Sequence, residues 1–575
     1  MIKNSTKFKY TFIILFPIII SVVLLAVSYK VLTSGIKLYK KAEPVVQSYI
    51  HGSPLALSED DDTYISDNQH QVDILHYDLS FDLHPETKSF NASAIIKAKF
   101  RKELKQIDLN FYDNFDITLV QLNGKEVPFI NKEKRLTIFP DTISTDTFYI
   151  RIDYSGKPVS AGLAGFVFGE INNKSLIYTL SEPTSASSWF PCNDFPNDKA
   201  MLDIHITNDS SDVSVSNGKL ISVKTEGDRR TYNWKTIYPI STYLICIYSS
   251  EYSEFNDYYV SINKQDTMQI SYFVLPDKLE EAKIDFRDHP QMLRTFSRMF
   301  GEYPFIKEKY GVAEFLWYMG AMENQTITGV PPNIITGKGF NEDILVHELA
   351  HHWWGDAIGP KYWKDIWLNE GFATYSEALY FEAESGKSAL ISTMLAKKQS
   401  SYPGTLADPG RFLFTTTVYN KGAWLLHMLR FEIGDSSFFS SLKKYYQSYK
   451  YSNAATEDFV RICENESGKN LTSFFNQWLN RHDYINFKYS WKTDVEKSNS
   501  KVYLTIIQEK DENSCYSFPL EVEVKFDSTS TKRFKFQVDK KISDFQFELD
   551  RKPIELILDP DSWLLANIRK SHPEE

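Results

Sequence analysis

Val346-His347-Glu348-Leu349-Ala350-His351 is the stretch on which the reading of this chain turns, followed closely by Trp367-Leu368-Asn369-Glu370-Gly371-Phe372-Ala373. On a helix, residues i and i+4 project from one face, so His347 and His351 can bring both imidazoles to a single metal ion. Glu348 follows the first of them and can reach a water on that ion without ligating it. Alone, the pattern is weak, because a helical histidine pair can simply face solvent. Glu370 strengthens it: the carboxylate arrives after the 18 residues 352–369. Two His and one Glu, with a fourth position left to water, is the donor set of a catalytic zinc, whereas closed structural sites use four protein ligands. One Zn2+ per chain is therefore expected on His347, His351 and Glu370. His352 points about 100° away around the helix and is a poor ligand. The bland alternative for Glu370 is a carboxylate on a helix surface.

Outward from this motif the hydrophobic period changes twice. From about Pro276 to Trp478 helical spacing prevails, as in Leu279, Ile284, Leu293, Phe296 and Phe300. Upstream, Tyr77, Leu79, Phe81 and Leu83 alternate with Asp78, Ser80 and Asp82. Short strands continue through Ile107-Asp108-Leu109, the Asn123-Gly124 turn signal and Tyr243-Leu244-Ile245. Downstream of residue 485, Val502/Leu504/Ile506, Leu520/Val522/Val524 and Phe534/Phe536/Val538 alternate, the pattern of a small β-sandwich. At 575 residues the chain exceeds one core. The expected fold class is multidomain α+β: an all-β domain over 65–268, an α-rich domain over 269–484 and a C-terminal β-sandwich over 485–575.

The N-terminus is different material. Lys3, Lys7 and Lys9 lie in a basic segment, 1–9, ahead of an apolar run that spans Tyr10 to Tyr29. About 20 apolar residues cross a bilayer, so 10–30 is read as an N-terminal transmembrane helix and 31–64, with Glu59-Asp60-Asp61-Asp62, as a solvated stalk. A cleaved signal peptide has a shorter apolar stretch and a small-residue cleavage site, which is not found here. Lys30, Lys37, Lys40 and Lys41 nearly balance the positive-inside rule. A short basic leader before a long globular remainder favours a single-pass protein at the cell membrane, with the globular part periplasmic or extracellular. The net charge of -11 argues against nucleic acid as a partner. Four scattered cysteines without a CxxC pair exclude a thiolate zinc site.

Two further segments carry a resemblance. Gly320-Ala321-Met322-Glu323-Asn324 and Tyr419-Asn420-Lys421-Gly422-Ala423, with the HExxH stretch and Glu370, resemble the aminopeptidase N family of zinc metallopeptidases, which includes the leukotriene-hydrolase branch. Softer echoes are His76-Tyr77-Asp78-Leu79, Phe190-Pro191-Cys192-Asn193-Asp194 and Phe474-Phe475-Asn476-Gln477-Trp478, so the likeness runs from about residue 70 to 480. It implies a β-saddle N-terminal domain, a thermolysin-like catalytic domain and removal of N-terminal residues from peptides with free N-termini. By the same resemblance Glu348 is the general base and Tyr419 donates to the oxyanion. Glu323, with Glu182 of Ser181-Glu182-Pro183, binds the α-ammonium, and the backbone of the Gly320-Ala321 stretch holds the peptide as an added strand.

The chain departs from the family in two places. Leu180 stands where many relatives have Gln, and Ala186-Ser187-Ser188-Trp189 lacks a common Arg. A more apolar first-residue pocket, walled by Met322, is expected. The residues after 485 replace a large helical domain with strands, which implies a more open cleft. A thermolysin-like endopeptidase, an epoxide hydrolase and a non-catalytic receptor are the rival readings. Glu323, the missing helical domain and the intact ligand set weigh against each in turn.

Overall fold

Alternation in Val72–His84 puts Tyr77, Leu79, Phe81 and Leu83 in the interior, and this strand is the axis of the N-terminal region. The computed structural model describes residues 65–571 except 103, 141–146, 160–163, 411–412 and 497–498. The basic segment, the transmembrane helix and the stalk read over 1–9, 10–30 and 31–64 lie outside the described residues. Among the described residues no helix is long and apolar enough to cross a membrane.

Val72–His84 pairs antiparallel with Ser89–Phe100 and parallel with Met201–Asp209 inside an eight-stranded sheet. A four-stranded and a three-stranded sheet complete the all-β region. The Asn123-Gly124 signal makes the turn between Asp116–Leu122 and Lys125–Glu126, with φ of 50° and 81°, the double left-handed geometry of a tight hairpin. One strand expectation fails. Thr242–Leu244 is a 3-10 turn, closed by Leu244 N to Ser241 O at 3.1 Å, and the strand begins at Ile247. An apolar run buried on every side carries no period by which to tell strand from turn.

The sheet of Ser253–Val260, Thr267–Val274, Tyr310–Glu314 and Thr328–Val330 joins residues on both sides of position 268. Helices follow: α1 (Leu279–Asp285), α2 (His289–Phe300), α3 (Glu342–His351), α4 (Trp367–Ser385), α5 (Lys387–Ala396), α6 (Gly422–Ile433), α7 (Asp435–Tyr449), α8 (Thr456–Ser467) and α9 (Thr472–Leu479). Leu293, Phe296 and Phe300 are buried as their spacing requires, whereas Ile284 faces water. Pro290, in the first turn of α2, suits a helix start and separates it from α1.

Helix α4 is buried from Trp367 to Tyr380. It meets α6 backbone to backbone: a Cβ on Gly371 would lie 2.9 Å from the Gly422 Cα. Immediately before α6, Thr417–Lys421 forms a π-helical turn. The C-terminal region is two facing sheets, with Phe534 on Phe547 at 4.5 Å and Phe536 on Phe545 at 4.6 Å between them. It docks on α6 through Trp563, which stacks on His427 at 4.5 Å and on Phe431 at 5.4 Å.

Candidate metal centre and amine pocket

Helix α3 delivers His347 and His351 from one face, and Glu370 comes from the first turn of the neighbouring α4. The two Nε2 atoms are 3.0 Å apart, and Glu370 Oε2 lies 3.4 Å from His347 Nε2 and 3.3 Å from His351 Nε2. Tetrahedral zinc with bonds of about 2.0–2.1 Å separates its ligands by about 3.3 Å, so the three atoms fit one ion. Among the described residues Glu370 Oε2 has no hydrogen-bond donor although it is buried, as suits an atom reserved for a cation. Burial opposes charge on His347, but Glu370 and Glu377 outweigh it and raise the imidazole to about 9. Burial would likewise raise the Glu370 carboxyl, and the two imidazoles hold it down. The local field favours positive charge between these groups.

Outer contacts aim both imidazoles. His351 Nδ1 is 3.0 Å from the Trp354 carbonyl, and His347 Nδ1 is 2.9 Å from Glu377 Oε1. With Nδ1 engaged, Nε2 is the nitrogen left for metal. Glu377 Oε2 accepts in turn from Lys397 Nζ at 2.6 Å. Sequence reasoning missed Glu377. Its signal was the i+7 spacing from Glu370, two turns along one helix face. His352 turns away as its angle requires and meets Tyr303 OH at 2.9 Å in the core.

Glu348 is buried beside the ligands, and desolvation and nearby Glu323 raise its carboxyl despite the imidazoles. A carboxylate with raised basicity is suited to taking a proton from water. Tyr419 sits on the π-helical turn with its ring stacked on His347, centroids 5.9 Å apart. Burial, then Glu370 and Glu182, push its hydroxyl well above the usual tyrosine range, so it stays protonated and can donate. A π-turn adds one residue to a helical turn and re-aims a side chain, and such turns recur at functional sites.

A second polar group lies against the first. Glu182, Glu323 and Glu370 each offer a carboxylate oxygen within 4.8 Å of the others. Glu323 Oε1 is 4.0 Å from His351 Nδ1. Burial raises the Glu182 and Glu323 carboxyls; Glu323 adds to the rise at Glu182 and Glu370 to that at Glu323. A buried pair of like charges is relieved by a cation between them. Met322 is buried and bridges Gly329 in both directions, at 2.9 and 2.7 Å. Gly320 and Ala321 are half-buried and make no backbone hydrogen bond among the described residues. Leu180 is buried at the end of Lys174–Leu180, and Ala186–Ser188 forms a buried 3-10 turn. Trp189 Nε1 donates to Ser181 Oγ at 3.0 Å, holding the residue before Glu182.

A mononuclear centre of two His and one Glu on adjoining helices, behind a β-rich N-terminal region, defines the zinc metallopeptidase class. The chain belongs to peptidase family M1: residues 285–478 match the peptidase family M1 domain and 74–244 the peptidase M1 N-terminal domain, together more than half the chain. It is similar to the probable aminopeptidase 2 of Sulfurisphaera tokodaii, 26% identical over 71% of this chain and 54% of that protein. Leucyl aminopeptidase of Saccharolobus solfataricus is 23% identical over 79% of this chain and 59% of that one. The chain thus spans little more than half the length of these relatives. An M1 zinc metallopeptidase from Deinococcus radiodurans superposes with a TM-score of 0.65 at 24% identity, covering 72% of this chain and 95% of that one. Legionella pneumophila aminopeptidase A reaches a TM-score of 0.77 at 19% identity, covering 87% of this chain and 60% of that one. At these identities the two structures speak for the fold alone.

Proposed function

We propose that this chain is a zinc aminopeptidase that removes the first residue of peptides with a free N-terminus. The observation that carries the reading is the convergence of Glu182 and Glu323 beside the three metal donors. A buried carboxylate pair at that distance from a hydrolytic centre accepts the α-ammonium through charge-assisted hydrogen bonds. Only the first residue of a chain offers that group, so the adjacent peptide bond is the one presented. Zinc, when bound, supplies Lewis acidity to the scissile carbonyl and lowers the pKa of a water toward about 7. Glu348 takes the proton of the attacking water and returns it to the leaving amine. Tyr419 donates to the oxyanion as it develops. Gly320 and Ala321, whose main chain makes no hydrogen bond among the described residues, bind the substrate backbone as an added strand, with Met322 as its neighbour, a mode that tolerates varied sequence.

The finer reading has two parts. Leu180 and Met322 make the first-residue pocket apolar, so Leu, Met and Ala substrates outpace Arg and Lys. Residues 10–30 anchor the chain in the cell membrane with the site on the extracytoplasmic side; recovery of the full-length protein in the soluble fraction after cell breakage would contradict this. The deciding experiment compares a leucyl peptide with its N-acetylated twin, in the native chain and in Glu323→Ala. Preference for the free amine, lost on substitution, is expected. Equal rates on both peptides in the native chain would leave an endopeptidase as the better reading.

A further inference from the structure

Residues 322–329 form the hairpin that carries Glu323. Its arms close through the Met322–Gly329 pair, and its tip is a β-turn with Ile327 N donating to Asn324 O at 2.8 Å. Thr326, the third residue of that turn, has φ +70°. A turn with positive φ at this position normally takes glycine, and a β-branched residue there is strained. Strain of this kind persists only where the surroundings over-determine it, and it gathers at functional sites.

The surroundings of Thr326 meet that condition. Its buried Oγ1 accepts from Gly218 N at 2.8 Å and from Lys309 Nζ at 3.1 Å. Lys309 Nζ also donates to Ser216 O at 2.8 Å and lies 5.0 Å from the centre of the Trp234 ring. Next to it, Asn217 Nδ2 donates to Gln325 O at 2.7 Å and to Leu244 O at 2.9 Å. Gly218 has φ +75° and leaves no room for a side chain, since a Cβ would lie 2.2 Å from the Lys235 carbonyl oxygen. The hairpin tip is thus stitched to residues 216–218 of the all-β region, the region that also supplies Glu182. A glycine at 326 would satisfy the turn without strain. What threonine adds is the hydroxyl.

We propose that Lys309, Thr326 and Gly218 form a positioning node that locks the tip of the 322–329 hairpin to the all-β region and thereby fixes the spacing of Glu323 and Glu182. The node rests on the reading of those two carboxylates as the amine pocket. Lys309 and Thr326 are positioning residues, acting through the turn that follows Glu323.

The test uses the zinc-loaded full chain and its Lys309→Met, Thr326→Gly and Thr326→Ser variants. The readouts are kinetics on leucine p-nitroanilide, inhibition by L-leucine, zinc content and amide hydrogen exchange of 320–329. Loss of a buried charge-assisted bond predicts that Lys309→Met and Thr326→Gly each raise KM and the leucine inhibition constant about tenfold, with kcat changed less than about threefold. Zinc content stays at one per chain, exchange of 320–329 quickens, and the double variant is no worse than either single one. Thr326→Ser, which keeps the oxygen, behaves as the native chain. An unchanged KM in Thr326→Gly, or additive effects in the double variant, would overturn the node. If Lys309→Met does not fold, Thr326→Gly, whose backbone suits the turn, decides. Should the native chain fail to prefer free amines, the amine-pocket reading falls, and unchanged exchange in the variants separately removes the node.

Discussion

The ion end of the site draws His347, His351, Glu370 and Glu377 from two adjoining helices, all within residues 347–377, whereas the carboxylate end joins Glu182, just past a strand, to Glu323 on a distant hairpin. At the ion end, helix geometry sets two ligands at i and i+4, and one helix-to-helix contact brings the third. At the carboxylate end the spacing depends on how one region seats on another, so every bond between those regions matters. A site built locally fails when a ligand is lost. One built across regions fails by drift.

Removing a ligand from the ion end gives the largest effect. Glu370→Ala leaves two imidazoles where three donors met, and zinc measured by elemental analysis should fall from one per chain to near zero after dialysis against a mild chelator. Retention of full zinc in that variant would mean that the ion is held elsewhere. Glu377→Gln keeps the ligands but loosens the aim of His347; outer-shell losses of this kind weaken metal affinity about 10–100-fold, read by chelator competition. Affinity equal to the native chain would make Glu377 a mere partner of Lys397. The smallest effect falls on the frame. Gly371→Ala pushes a Cβ into the Gly422 backbone, and overpacking costs about 1–3 kcal/mol, seen as a lower denaturant midpoint. An unchanged midpoint would show that α4 and α6 can part without penalty.

The same contrast explains what could be read in the sequence. Period-two alternation located Val72–His84, and the i, i+4 pair located the face of α3, because each pattern repeats within one element. Glu377 was open to the same reasoning through its spacing from Glu370. Tyr243-Leu244-Ile245 misled because burial on all sides removes the alternation that marks a strand. Lys309 and Lys397 carried no signal at all: a lysine in a sequence is presumed solvated, and only long-range folding puts one on Thr326 and the other on Glu377. Glu323 and Glu182 were reachable through family likeness, and their proximity was not, since no local spacing encodes it.

Trp563 has a consequence for anyone who shortens the chain. It covers His427 and Phe431 of α6, with Arg430 and Lys387 over its ring at 5.7 and 5.9 Å. A fragment ending near residue 484 would bare that aromatic footprint to water and acquire an adhesive spot. A polar replacement at Phe431 is the repair to try first when such a fragment precipitates.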